Sequence, residues 1–236
     1  MTGFDNENQI IDALNNVQFN KLNNNLKKAI LKINQNKKPS IILAKKYGGK
    51  DKADLSFIID GNEYSISVKM GTGNSIHQEP VEDFIFYLKN HLEDNQSIFD
   101  DLRHFIWGDK SLDGKGKVSD RISASDYKKQ YPLKVNNIQL YFNKHIDVLL
   151  KRFLITGAVS SKKADFLLYG DIVKCNIISE HDLLNYAKCR SKRPISIGVL
   201  NFQTWNRILD GNPKHEHKRG QIQLKWGTLK NDIDKI

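Results

Sequence analysis

The sequence predicts an α/β fold, a central mixed β-sheet flanked by helices, in a single domain over residues 1–236. Three observations lead there. Segments with apolar residues at helical spacing alternate with short apolar, β-branched runs, the pattern of helices packed on a sheet. Two pairs of runs are separated by glycine-containing turns, Gly61-Asn62 and Gly170-Asp171, which marks hairpins. The composition, 39% hydrophobic and 27% charged, suffices for a core and contains no run of about 18 apolar residues that would cross a membrane.

In chain order, residues 8–34 read as one long helix or two short ones. Ile10, Leu14 and Val17 share a face, then Leu22, Leu26, Ala29, Ile30 and Ile33 resume it after a slip near Phe19. Pro39 closes this unit. Residues 41–44 form a short strand, followed by a basic, glycine-containing loop, Tyr47 to Lys52. Residues 55–60 and 63–69 are the two strands of the clearest hairpin. A polar connection from Gly71 to Gln78 leads to Pro80, a good first helical residue, and Val81, Phe84, Ile85 and Leu88 give the next helix an apolar face.

Residues 107–132, with Gly108, Gly114 and Gly116 among lysines, serines and aspartates, read as a loop, either mobile until it meets a ligand or a plain insertion. Residues 135–153 form a helix with Val135, Ile138, Phe142, Ile146, Leu149, Leu150 and Phe153 on one stripe. A second hairpin spans residues 166–178, and Ser179 with Asp182 opens a short helix to Cys189 as a capping pair. Residues 195–202 and 221–226 are two further strands, and a short helix follows them. Lys52-Ala53-Asp54-Leu55 has a faint echo in Lys163-Ala164-Asp165-Phe166, each opening a hairpin, too little to define a repeat.

Lysine and arginine number 37 against 27 acidic residues, a formal charge of +10. A polyanion is therefore the first partner to consider, since each phosphate neutralised by a lysine or arginine releases counterions. The two cysteines, Cys175 and Cys189, are too few for a zinc ribbon or a disulfide framework. Together with an N-terminus lacking a secretory signal pattern, they predict a reducing, cytoplasmic setting.

The hairpin carries a constellation suited to metal-assisted phosphodiester hydrolysis. That reaction needs carboxylates to hold a divalent ion, a cation beside the attacking water or developing charge, and rigid elements beneath both. Asp54 stands at the mouth of the first strand. Ser67 and Lys69 lie two apart on the second, so their side chains share a face. Glu79 and Glu82 follow at the start of the next helix.

Lys52-Ala53-Asp54 followed by Ile66-Ser67-Val68-Lys69 resembles the core of the PD-(D/E)xK restriction-endonuclease-like nucleases. Ser67 stands where that family usually has Glu or Asp, and Ala53 replaces the leading Pro. Some restriction enzymes of the superfamily carry Ser-x-Lys and place the acid on the following helix, which singles out Glu79 and Glu82. The resemblance covers residues 41–92. It implies Mg2+-dependent cleavage (Mn2+ substituting), with Asp54 and Glu79 or Glu82 as metal ligands, Lys69 orienting or activating water, and Ser67 in the family's acidic position. Duplex DNA is the implied partner, and a homodimer the implied assembly, since one metal site faces one scissile phosphate.

Residues expected to touch DNA are Lys50 and Lys52 before Asp54, then Asn74, Ser75, His77 and Gln78, and the aromatic-basic stretch with Arg207, Lys214, Lys218 and Arg219. Rival sites are Gln223-Leu224-Lys225, with Asp165 as its acid, and the His215/His217 pair, two ligands short of a zinc set. The alternative functions are a nucleic-acid-binding protein with a degenerate site and a repair or anti-phage effector nuclease.

Overall fold

A computed structural model describes residues 3–15, 17–48, 51–72, 74–158, 162–189 and 193–236. The chain runs α1 (Gly3–Leu14), α2 (Asn24–Ile33), β1 (Ile42–Lys46), β2 (Leu55–Ile59), β3 (Asn62–Lys69), β4 (Ser75–Pro80), α3 (Val81–His91), α4 (Gln96–Trp107), α5 (Ala124–Gln130), α6 (Pro132–Lys144), α7 (Ile146–Lys151), β5 (Phe166–Gly170), β6 (Cys175–Ser179), α8 (Glu180–Ala187), β7 (Ser196–Ile197), β8 (Leu200–Thr204), β9 (Gln221–Lys225) and α9 (Leu229–Asp232). These elements form two compact units. The first comprises Met1–Asn74, Lys151–Tyr186 and Gly227–Ile236, and the second Ser75–Leu150 and Ala187–Trp226.

The first unit holds a five-stranded mixed sheet flanked by helices, in the order β1-β2-β3-β5-β6. All neighbours are antiparallel except β3 and β5, which run parallel. Side chains alternate across each strand, so Leu55, Phe57 and Ile59 of β2 share one face with Ile66 and Val68 of β3. That face is buried in one cluster with Ile10 and Leu14 of α1 and Leu26, Ile30 and Ile33 of α2. Each such side chain contributes about 1.5–3 kcal/mol when fully buried. The slip at Phe19 is a real break: Phe19–Lys21 form one 3-10 turn, and Asn23 then caps α2 by accepting the Leu26 N–H at 2.9 Å.

The β2–β3 turn falls one residue earlier than the sequence predicts. Ile59 pairs with Asn62, so the two turn residues are Asp60 and Gly61. Both have positive φ, 47° and 84°, the requirement of the hairpin turn whose twist matches the strands. The Asp60 carboxylate accepts the N–H groups of Ser40 and Ile41, tying the turn to the entry of β1.

The second unit has its own antiparallel sheet, β4-β9-β8-β7. Phe202 of β8 lies at the centre of its core, with ring centroids 4.9 Å from Phe142 of α6, 5.7 Å from Phe84 of α3 and 6.3 Å from Phe105 of α4. Several elements here differ from the sequence reading. Residues 75–80 are an edge strand rather than a loop. The 107–132 stretch contains α5, capped by Ser123 and anchored by buried Tyr127. The stripe over 135–153 breaks at His145 into α6 and α7; a one-residue break leaves the side-chain phase that produces the stripe unaltered. The strand expected over 195–202 is a tight hairpin turning at Gly198, where a Cβ would collide with the Ala187 carbonyl oxygen.

Candidate active site

Asp54, Ser67 and Lys69 come together in the first unit as the sequence predicts. Leu55 pairs with Ile66, and the Asp54 N–H donates to the Ile66 carbonyl at 2.9 Å, which sets Asp54 opposite Ser67. Asp54 Oδ2 accepts the backbone N–H of Val68 at 2.6 Å, the Ser67 hydroxyl at 3.2 Å and the Lys69 Nζ at 3.4 Å. Lys69 Nζ also donates to the Val68 carbonyl at 2.8 Å. The acid and the ammonium are thus held by the backbone of one strand. Their side chains stay partly exposed, 28% for Asp54 and 20% for Lys69, while Ser67 is buried.

Lys52 joins this group from the loop before Asp54. Burial first, and the positive charge of Lys69 second, bring its ammonium down to about 7 against the favourable charge of Asp54.

The same sheet face continues as a polar ladder. Glu63 of β3 accepts hydrogen bonds from Ser56 at 2.7 Å and Tyr47 at 2.8 Å and pairs with Lys45 at 2.9 Å. These donors, Lys45 foremost, hold its carboxyl down at about 2. On the other side of β3, Asp165 Oδ2 accepts the Ser65 N–H at 2.9 Å, and the Asp165 N–H donates to the Ser65 carbonyl at 2.8 Å. Asp54 and Asp165 therefore bracket β3 from its antiparallel and parallel neighbours. The Lys-Ala-Asp echo is the sequence signal for this arrangement, whereas the rival reading sets Asp165 beside Gln223 and Lys225.

Asp54 is suited to a hard divalent ion held partly by water and phosphate, the habit of Mg2+. All three of its side-chain hydrogen bonds fall on Oδ2, leaving Oδ1 uncommitted among the described residues. No group of three or more His, Cys, Asp or Glu side chains with metal-binding spacing occurs among the described residues.

The two glutamates expected at a helix mouth lie in the second unit. Glu79 is on β4, opposite Ile222, buried, with Oε1 3.1 Å from His77 Nε2. Glu82 is in the first turn of α3, gripped by Arg103 through Nε to Oε1 at 2.8 Å and Nη2 to Oε2 at 2.7 Å. That bidentate pairing occupies both oxygens expected to bind metal.

The residues expected to contact nucleic acid divide sharply. Lys50 lies outside the described residues. Asn74 is buried and donates to the Gly71 carbonyl at 3.1 Å. Ser75, His77 and Gln78 belong to β4 rather than to an open loop of backbone amides. Lys214 is exposed and Lys218 half-buried on a 3-10 turn, Pro213–Lys218, where Lys218 lies 5.7 Å from the Trp205 ring centre.

Arg207 and Arg219, expected on a contact surface, are buried instead. Arg207 donates to the carbonyls of Ile122, at 2.7 Å, and Phe105, and burial lowers its pKa to about 10. Arg219 donates to Asp109 Oδ2 at 2.7 Å, with both side chains at most 5% exposed. Burial pushes the Asp109 carboxyl up, but the Ser111 hydroxyl and amide, then Arg219, bring it below its ordinary value. Arg219 also stacks on Trp107, whose ring fills the space a Cβ at Gly114 or Gly220 would need. These contacts hold the 108–123 loop internally. The rival Gln223 is likewise committed, accepting a hydrogen bond from Gln203 at 3.1 Å. His215 and His217 sit on the exposed turn with no third ligand among the described residues.

No protein-family model matches the sequence, and no curated protein is significantly similar to it. Among solved structures, the chain is similar to the restriction endonuclease MspI in complex with its cognate DNA, with a TM-score of 0.49 and 16% sequence identity over 85% of this chain and 76% of that one. No helix among the described residues is long and apolar enough to cross a membrane.

Proposed function

We propose that the chain is a metal-dependent DNA endonuclease whose active site is built on Asp54, Ser67 and Lys69. The observation that supports this most directly is the convergence of the Asp54 carboxylate and the Lys69 ammonium, 3.4 Å apart on one sheet face. Both are fixed by backbone hydrogen bonds and remain open to solvent.

In this reading Mg2+, or Mn2+ in its place, binds Asp54 and supplies Lewis-acid stabilisation of charge on the scissile phosphate. Lys69 orients the attacking water and offsets developing negative charge. Ser67 is neutral and a weak ligand for a hard cation, so its role is to donate to Asp54 and hold that carboxylate in place. The +10 charge suits a polyanionic substrate. Duplex DNA cut on both strands calls for two such sites, hence two chains.

Plasmid DNA incubated with the protein in Mg2+, with and without EDTA, tests the proposal. Metal-dependent conversion to discrete fragments indicates a restriction-type enzyme, and a smear indicates relaxed specificity. A second reading is a binding protein with a degenerate site, favoured by Ser67 standing where a second carboxylate is expected. A metal-independent gel shift with intact plasmid would select it.

A further inference from the structure

The strands β5 and β6 border a cavity of about 350 Å3 in the first unit. Tyr169, Lys174 and Asn176 of this hairpin form one wall, and Lys230, Asn231 and Ile233 form the other. The strand register places it. Lys69 of β3 stands beside Tyr169, and Tyr169 beside Asn176, and side chains paired in register project to the same face. Neighbouring strands lie about 4.8 Å apart, so the backbone of Asn176 is about 10 Å from that of Lys69. The Tyr169 hydroxyl donates to the Gly71 carbonyl at 2.7 Å, which fixes the ring just beyond the end of β3.

The walls have distinct chemistry. Lys174 and Lys230 are exposed, and neither forms an ion pair among the described residues. The one carboxylate in the lining, Asp234, accepts the Asn176 amide at 2.7 Å, so the lining carries a net single positive charge. The Asn176 and Asn231 amides offer a donor and an acceptor each, as the edges of nucleobases do. Tyr169 supplies an aromatic surface and Ile233 an apolar one, which suits the flat faces of a base. The volume lies at the low end for ligand pockets, the size of a single small-molecule unit.

We infer that this cavity is a nucleotide subsite: Lys174 and Lys230 take the phosphate, and the base lies against Tyr169 with its edge toward the asparagines. Its position one to two strands from Lys69 makes the occupant a nucleotide neighbouring the scissile phosphate. That placement rests on the proposed nuclease reading, whereas nucleotide binding itself does not.

Titration of the full chain with each deoxynucleoside 5′-monophosphate and with inorganic phosphate, in EDTA, tests the inference without catalysis. At least one mononucleotide is expected to bind more tightly than phosphate. Lys174→Ala with Lys230→Ala should weaken it about tenfold or more, through lost charge-assisted hydrogen bonds, with the circular dichroism spectrum unchanged because both side chains are exposed. Tyr169→Leu should also weaken it, and Asp54→Asn should leave it unchanged. Failure of every mononucleotide to bind overturns the inference, as does binding no tighter than phosphate or indifferent to the lysine pair. Plasmid cleavage is scored separately, so mononucleotide binding without cleavage keeps the subsite and discards the nuclease reading.

Discussion

The carboxylate of Asp54 accepts the backbone N–H of Val68 at 2.6 Å, so the acid is anchored to the strand that carries Lys69 rather than to its own. Because this bond needs only an acceptor, Asp54→Asn should retain it while removing the charge. Asp54→Asn and Lys69→Met are each expected to lower Mg2+-dependent cleavage by about 10²-fold or more, with little change in Tm, since a partly exposed pair contributes about 1 kcal/mol or less. Ser67→Ala should be milder in rate. Plasmid cleavage at wild-type rate by either charge variant would move the site elsewhere.

In the second unit, the Asp109–Arg219 pair is a structural clamp. Asp109→Ala takes from the Arg219 guanidinium its buried carboxylate and leaves it the partly exposed Glu216, 3.3 Å away. The loss should therefore fall between about 1 kcal/mol and the about 3–5 kcal/mol that follows when a buried charge loses its sole partner. Chemical denaturation of the full chain should show this loss. A loss below about 1 kcal/mol would mean the loop does not depend on the pair.

Glu63 gives a pH-dependent contribution of known sign. Its folded pKa, about 2, lies below its ordinary value of 4.5. The stabilisation is therefore fully present above about 4.5 and is lost as pH falls through about 2. The stability difference between wild type and Glu63→Gln should be constant near neutrality and shrink across that acid window. A difference independent of pH from 5 to 2 would show that the hydrogen bonds from Ser56 and Tyr47, rather than charge, carry the contribution.

Metal-free binding to duplex DNA should be steeply salt-dependent. A protein making six to ten phosphate contacts loses about 10³–10⁵ in affinity between 50 and 200 mM salt. Lys214→Glu with Lys218→Glu should flatten the dependence, because both lysines lie on one surface turn, Lys214 exposed and Lys218 partly so. Arg207→Ala should instead act through stability, since its guanidinium is buried. Salt-independent affinity would show that the positive charge only solvates the surface.

The sheet class, the β2–β3 hairpin and the Asp54–Ser67–Lys69 grouping were legible in the sequence because they depend on local rules: strand alternation, a two-residue turn and residues two apart. The position of Glu79 was not legible. Residues 75–80 are polar, so they read as a loop, yet they pair with β9, a partner more than 140 residues away. The arginines misled for a related reason. A guanidinium in a basic stretch looks like a phosphate contact, and only tertiary structure reveals that Asp109 or the Phe105 and Ile122 carbonyls already hold it. Helix α4 has its signal in plain sight, with Ile98, Phe99, Leu102, Phe105 and Ile106 at helical spacing after Asn95.

The parallel neighbour of β3 also governs how the chain can be made. Ile66 pairs with Phe166, so the strand carrying Lys69 lacks one neighbour until about a hundred further residues have emerged. At about 5–20 residues per second, that is a wait of 5–20 seconds during synthesis. Throughout it, β3 presents an open edge bearing Ile66 and Val68, the kind of edge that recruits other strands. The intervening residues are mostly those of the second unit, which has its own sheet and core. Three of the four strands of that sheet, β7, β8 and β9, follow residue 166 in the chain, so it cannot form in time to shorten the wait, and the β3 edge stays open until β5 itself arrives.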